Sequence, residues 1–129
     1  MSIALLWRWH RYRRELGVSP VELITLLLLT ERQKYGYEIT QELRKWFSGF
    51  WKPNTGTIYH ALQRLEKKRY VTSSIQHREK GLDRKMYAVT AKGEIAIKKG
   101  VKHFRKQIKL LQRFLSLVEK HLAQNSDNK

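Results

Sequence analysis

His60, Gln63, Arg64 and Lys67 lie within one stretch, Asn54 to Val71, whose spacing turns them to a common side. Ile58, Leu62 and Leu65 recur at helical intervals with Ala61 beside them, and so mark the buried side of a helix. At about 100° per residue, His60, Gln63 and Lys67 then face outward and Arg64 flanks them. Gln63 can pair with adenine through two hydrogen bonds, and Arg64 can pair with guanine or reach a phosphate. Asn54 follows Pro53 and can cap the first free N–H groups, while Gly56 lets a partner approach the backbone closely. Thr55, Thr57 and Tyr59 place hydroxyls at the start and flanks of the helix, where they can meet phosphates. Amide, imidazole and cationic groups on such a helix suit the DNA major groove. An ordinary solvated surface helix has similar ingredients, so the remainder of the chain has to decide.

Other chemistry finds little support. His10, His60, His77, His103 and His121 are scattered with no pair at metal-ligand spacing, and there is no cysteine. No nucleophile motif and no phosphate-binding glycine loop is present, so the sequence predicts neither an enzyme nor a bound metal or cofactor. The 129 residues suffice for one small domain with an appendage. Lys and Arg number 27 against 11 Asp and Glu, a formal net charge of +16, which points to a polyanionic partner. No apolar run reaches the ~20 residues that span a bilayer. The opening M-S-I-A-L-L-W-R-W-H-R-Y-R-R puts its apolar part before its charges, unlike a secretory signal, so the expected location is cytoplasmic, with no membrane partner.

The elements that must position the outward face come next. Ser19-Pro20-Val21-Glu22 reads as a helix start, with Ser19 as cap and Glu22 completing a capping box. The run from Val21 to Leu29 is apolar nearly all round, as a central helix would be. Gly36 separates it from a second amphipathic helix marked by Ile39, Leu43 and either Trp46 or Phe47. The turn Phe47 to Pro53 then leads into the third helix, giving a helix-turn-helix arrangement. Tyr70 to Ile75 and Met86 to Thr90 have strand composition, joined by a charged segment with Gly81 at its turn. A ribbon directly after a reading helix, carrying Arg78, Lys80, Arg84 and Lys85, is expected to be a wing. From Arg44 to Lys92 there are twelve Lys and Arg against Glu66, Glu79 and Asp83, an imbalance that expects an anion.

Both ends carry further helices. Leu5, Trp9, Tyr12 and Leu16 form one apolar face, with Arg8, Arg11, Arg13 and Arg14 over the remainder and Gly17 at the end. Residues 1–17 therefore read as a basic amphipathic helix that docks on another part of the protein, with a membrane surface or nucleic acid as competing partners. Thr90 can cap the last helix, where Ile97, Val101, Phe104, Ile108, Leu111, Leu115, Val118 and Leu122 follow steps of four and three. This heptad seam predicts pairing with a second chain. Leu110, Phe114 and Leu117 form an adjacent stripe assigned to packing nearby, although the two assignments could be exchanged. Gly100 could kink the helix. The expected organisation is residues 1–17, a DNA-binding domain over 18–92, a dimerisation helix over 93–123, and a polar, disordered tail over 124–129.

Y-G-Y-E-I (Tyr35 to Ile39), G-T-I-Y (Gly56 to Tyr59), A-L-Q-R-L-E-K-K (Ala61 to Lys68) and R-K-M-Y-A-V-T-A-K-G (Arg84 to Gly93) resemble the PadR family of transcriptional regulators. The resemblance spans roughly Ser19 to Gly93. It implies a mainly α winged helix-turn-helix, a homodimer held mainly by N- and C-terminal helices (Leu5, Trp9 and Tyr12 with the seam), and a palindromic operator. The short C-terminal part is similar to the subfamily with one long terminal helix. His60 stands where the family usually has Pro and adds a donor and an acceptor to the outward face. Arg69 stands where it usually has Gly. Some such regulators bind flat aromatics between their dimer helices, so Trp7, Trp9, Trp46 and Trp51 could line a pocket for a small aromatic effector. The expectation is a sequence-specific DNA-binding repressor. A nonspecific architectural binder of DNA or RNA, and a coiled-coil interaction protein whose basic face is incidental, are the alternatives.

Overall fold

The computed structural model describes residues 18–127. Their elements are α1 (Pro20–Leu29), β1 (Lys34–Tyr35), α2 (Gly36–Trp46), α3 (Thr55–Lys67), β2 (Val71–Gln76), β3 (Arg84–Val89) and α4 (Ala91–Asp127). The three strands make an antiparallel sheet in the order β1-β3-β2, a winged helix-turn-helix extended by one long helix. The expected amphipathic helix over residues 1–17 lies outside the described residues.

α1 begins as its sequence predicts, with the Glu22 N–H donating to Ser19 Oγ at 3.2 Å and Pro20 at the first helical position. The second half of the expected capping box is not made, because the Glu22 carboxylate turns inward toward α3. α1 packs on α3 on one side and on α4 on the other. Thr25, Leu26, Leu28 and Leu29 are buried, but Leu27 is exposed and Val21, Leu23 and Ile24 are partly so. One side of this nearly all-apolar helix thus stays open, which the composition alone did not indicate.

The core joins Leu26 and Leu28 of α1, Ile39 and Leu43 of α2, and Ile58, Leu62 and Leu65 of α3, with Val71 and Tyr87 from the wing. Burying each of the large aliphatic side chains contributes about 1.5–3 kcal/mol, so α3 is held by the face opposite its polar one. Phe47 packs on this core, whereas Trp46 is exposed, which settles which aromatic ends the apolar face of α2.

Strand β1 has no periodic signal, being only two residues long. It pairs with β3 through Lys34 opposite Tyr87 and Tyr35 opposite Met86, while β2 pairs with β3 from Val71 opposite Val89 to Gln76 opposite Arg84. Lys34 is 1% exposed, with its ammonium 3.0 Å from Glu31 and 2.9 Å from Glu42. Burial alone would lower its pKa; the hydrogen bonds to Glu42 and Glu31 outweigh that and hold it above the ordinary lysine value.

α3 ends in a Schellman turn. The Tyr70 N–H donates to the Leu65 carbonyl at 2.9 Å, and the Arg69 N–H to the Glu66 carbonyl at 3.0 Å. Arg69 takes φ 63°, the left-handed conformation that favours glycine, so the residue that replaces Gly here does so under strain. The Thr90 hydroxyl donates to the Arg69 carbonyl at 2.8 Å and accepts from the Gly93 N–H at 3.0 Å, capping α4. A Cβ at Gly93 would come within 2.2 Å of the Tyr70 carbonyl oxygen, so the start of α4 is fitted directly against the start of the wing.

α4 runs 37 residues, about 55 Å at 1.5 Å per residue, and overhangs the domain. It continues through Gly100, which is buried, and through Gln124 to Asp127, which the sequence assigned to a disordered tail. Among the described residues no helix is long and apolar enough to cross a membrane.

Candidate nucleic-acid interface

Asn54 starts α3 by accepting from the Thr57 N–H at 2.8 Å and the Thr57 hydroxyl at 3.0 Å. Arg44 Nε donates to the Pro53 carbonyl at 2.8 Å and so ties the end of α2 to the turn entering α3. A Cβ at Gly36 would come within 2.7 Å of the Tyr59 ring, so the glycine lets Tyr59 lie against the first turn of α2. This contact brings the Y-G-Y-E-I and G-T-I-Y motifs together and fixes the crossing of the two helices. With Ile58, Ala61, Leu62 and Leu65 fully buried, Gly56, Tyr59, His60, Gln63 and Lys67 are exposed, and Thr55, Thr57 and Arg64 are partly so.

Arg64 does not project freely. Its Nε donates to Glu22 Oε1 at 2.9 Å, and Lys68 Nζ donates to Glu22 Oε2 at 3.3 Å. Glu22 is 1% exposed, while Arg64 is 42% and Lys68 33% exposed. A buried carboxylate from α1 therefore holds two cations of α3 by their inner faces. Sequence reading missed this role of Glu22 because a capping box explained the residue locally.

Glu66 joins α3 to the wing, accepting from the Ser73 hydroxyl at 2.9 Å on β2 and standing 3.7 Å from Lys85 Nζ on β3. The concavity so formed, about 440 Å³, is lined by His60, Gln63, Arg64, Glu66, Lys67 and Lys85. This is the place where a base edge or a phosphate can meet α3 and the wing together. Arg84 stacks over the Tyr35 ring at 4.2 Å. Held by Tyr35 and Glu66, Arg84 and Lys85 open β3 opposite Gln76 and Ile75, at the loop end of the wing. At its tip Arg78 and Lys80 are exposed, near a turn with Gly81 at φ 93° and a His77–Asp83 contact of 3.1 Å.

Beside the wing, Arg32 is paired with Glu38, whose carboxylate also accepts from the Tyr35 N–H at 3.4 Å. The hydrogen bond from Arg32 holds the Glu38 carboxyl below the usual carboxylate range. Glu31, Glu38 and Glu42, with Arg32 and the buried Lys34, therefore stabilise β1 and the first turn of α2, on which Tyr59 rests. Among the described residues no group of three or more acidic or histidine side chains could hold a metal ion.

The seam divides in two. Ile97 and Phe104 pack on their own chain's core and, with Val101, line an apolar groove against α1, so these three do not serve only a partner as expected. Ile108, Leu111, Leu115, Val118 and Leu122 are exposed, Leu111 at 56%. Leu110, Phe114 and Leu117 are exposed too. Leu5, Trp9 and Tyr12 lie outside the described residues. The groove has a volume of about 510 Å³ and includes Leu27, Phe47 and Trp51, the last two meeting edge to face at 5.4 Å. Trp46 is not among its lining residues.

Residues 25–99 match the transcriptional regulator PadR-like family. The chain is similar to a transcriptional regulator from Clostridium thermocellum, with 26% identity, 88% of this chain and 97% of that one covered, and a TM-score of 0.67. A PadR family transcription regulator from Clostridium difficile is also 26% identical, covering 75% of this chain and 99% of its own, at a TM-score of 0.65. PadR of Bacillus subtilis, solved in complex with operator DNA, shares the fold at 24% identity and a TM-score of 0.59 over 64% of this chain and 46% of that one.

Proposed function

The chain belongs to the transcriptional regulator PadR-like family, and from that premise we propose that it is a cytoplasmic, sequence-specific DNA-binding repressor acting as a homodimer on a palindromic operator. The observation that carries this reading is the two-sidedness of α3, with Ile58, Leu62 and Leu65 fully buried and His60, Gln63 and Lys67 exposed beside the wing. The B. subtilis relative that shares the fold was solved with operator DNA, which supports the same partner here. In this reading His60 and Gln63 meet base edges. Asn54, Thr55, Gly56, Thr57, Tyr59 and Lys67 position the helix on the backbone, and Arg64 stands beside them, held back by Glu22. Arg78 and Lys80 carry the wing tip to phosphates, and Arg84 and Lys85 stand beside it at the loop end of the ribbon. The exposed part of the seam, from Ile108 to Leu122, pairs with a second copy and sets the two half-sites one helical turn or a multiple apart. The groove beside Phe47 and Trp51, within the size range of ligand pockets, is where a flat aromatic effector fits.

The test is selection of bound duplexes from a random pool, followed by Gln63→Ala. The substitution is expected to cost about 1–3 kcal/mol on the best operator and to relax preference at one position per half-site. An equal loss on operator and random DNA makes the nonspecific architectural binder the better account.

A further inference from the structure

We propose that the outer face of α4 is a second nucleic-acid surface, which takes the phosphate backbone of a duplex other than the one read by α3. Between Glu94 and Glu119 the helix carries seven Lys and Arg and no acid. Lys98, Lys102, Arg105, Lys109, Arg113 and Lys120 follow steps of four, three, four, four and seven, which keeps them on one face over roughly 33 Å. That face lies roughly 140° round the helix from the apolar seam, so pairing through the seam leaves it open. All six are exposed, and none is in an ion pair among the described residues. The acids Glu22, Glu31, Glu38, Glu42 and Glu66 are engaged with cations of the winged domain instead. Unneutralised like charges at one-turn intervals repel one another and are relieved by a continuous anion.

The fold decides which duplex this is. α1 meets α3 through Glu22 and α4 through the groove lined by Val21, Ile24 and Leu27, so a helix stands between the reading helix and the long one. In this proposal a straight duplex seated on α3 and the wing leaves the stripe uncovered. A second duplex covers it, and the protein then bridges two segments of DNA.

The experiment immobilises a duplex selected for tight binding, adds the full-length protein at physiological salt, and measures capture of a labelled 30-bp duplex of random sequence. The variant is Lys102→Gln/Arg105→Gln/Lys109→Gln, with helical content and Tm checked first. The wild type is expected to capture the second duplex with a steep salt dependence. The variant should lose about tenfold or more of that capture and bind the selected duplex within about twofold of wild type. Four results overturn the proposal: no capture by wild type, undiminished capture by the variant, parallel loss of selected-duplex binding, or displacement by polyglutamate as effective as by DNA at equal charge. The last would assign the stripe to an acidic protein. If selection yields no preferred sequence, the same assay with random duplexes on both sides still tests the stripe, while the specific-repressor reading fails separately.

Discussion

Replacing Glu22 by Gln removes the one buried charge that α1 offers to α3, and its effect can be worked from the geometry. In the native fold the carboxylate accepts from Arg64 at 2.9 Å and from Lys68 at 3.3 Å. Hydrogen bonds to charged groups contribute about 1.5–3 kcal/mol each, offset by the several kcal/mol needed to take a carboxylate out of water. Gln keeps the shape and can still accept one bond. Arg64 and Lys68 are about a third or more exposed, so both cations rehydrate on release. The loss then falls short of the ~3–5 kcal/mol that accompanies a stranded buried charge, and we expect about 1–3 kcal/mol. Thermal melts should show a drop in Tm of roughly 3–12 °C. The released Arg64 should also reach phosphate, making the salt dependence of binding to random DNA steeper by about one unit of slope. A double-mutant cycle with Arg64→Gln isolates the pair. Additivity to within about 0.3 kcal/mol, together with an unchanged slope, would refute the idea that Glu22 restrains Arg64.

Four further expectations can be checked alongside it. Arg69→Gly relieves the left-handed φ of 63° and should raise stability by about 0.5–1 kcal/mol in urea unfolding, whereas a loss would mean that the Arg69 side chain makes a compensating contact. Gly93→Ala drives a methyl to 2.2 Å from the Tyr70 carbonyl and should cost several kcal/mol, seen as an early melt or lost soluble yield; a normal melt counts against so tight a join. The Glu38 carboxyl, held low by Arg32, contributes stability that is complete above the ordinary carboxylate pKa and is lost as pH falls through its lowered folded value. The urea midpoints of wild type and Arg32→Ala should therefore differ at pH 7 and converge as pH falls below the carboxylate range, and a gap that persists in strong acid rules this out. Charging the exposed seam with Leu111→Glu and Leu115→Glu should give a monomer in sedimentation analysis, and an unchanged dimer would remove the seam from the interface.

Periodic features were legible in the sequence. The apolar positions Ile58, Leu62 and Leu65 of α3, the cap at Asn54, the cap at Thr90 and both long wing strands need only local spacing and composition to be read. What was not legible depends on residues far apart in the chain. Strand β1 is two residues long, and only pairing with β3 makes it a strand. Glu22 satisfies a local motif on paper, yet its carboxylate finds Arg64, 42 positions away, because burial between α1 and α3 leaves it no water. Arg84 stands at the loop end of the wing as its position suggests, but the Tyr35 ring beneath it comes from much earlier in the chain, beyond the reach of local spacing. The seam read as continuous, but its first three apolar residues face the groove against α1 of their own chain, since the domain is wide enough to cover only those turns.

The joint between Gly93 and Tyr70 turns α4 into a lever. With no room for even a methyl group at that point, and with Thr90 clasping Arg69 on one side and Gly93 on the other, the helix and the root of the wing have to swing as one piece. In the proposed dimer the far halves of two such levers cross. A swivel of about 10° at the crossing, carried along roughly 40 Å of helix, displaces each wing and its neighbouring α3 by roughly 7 Å, or about two base-pair steps. Whatever lodges between the levers, whether a small molecule or a bulkier side chain, can then change the half-site spacing the protein accepts without touching a residue that contacts DNA.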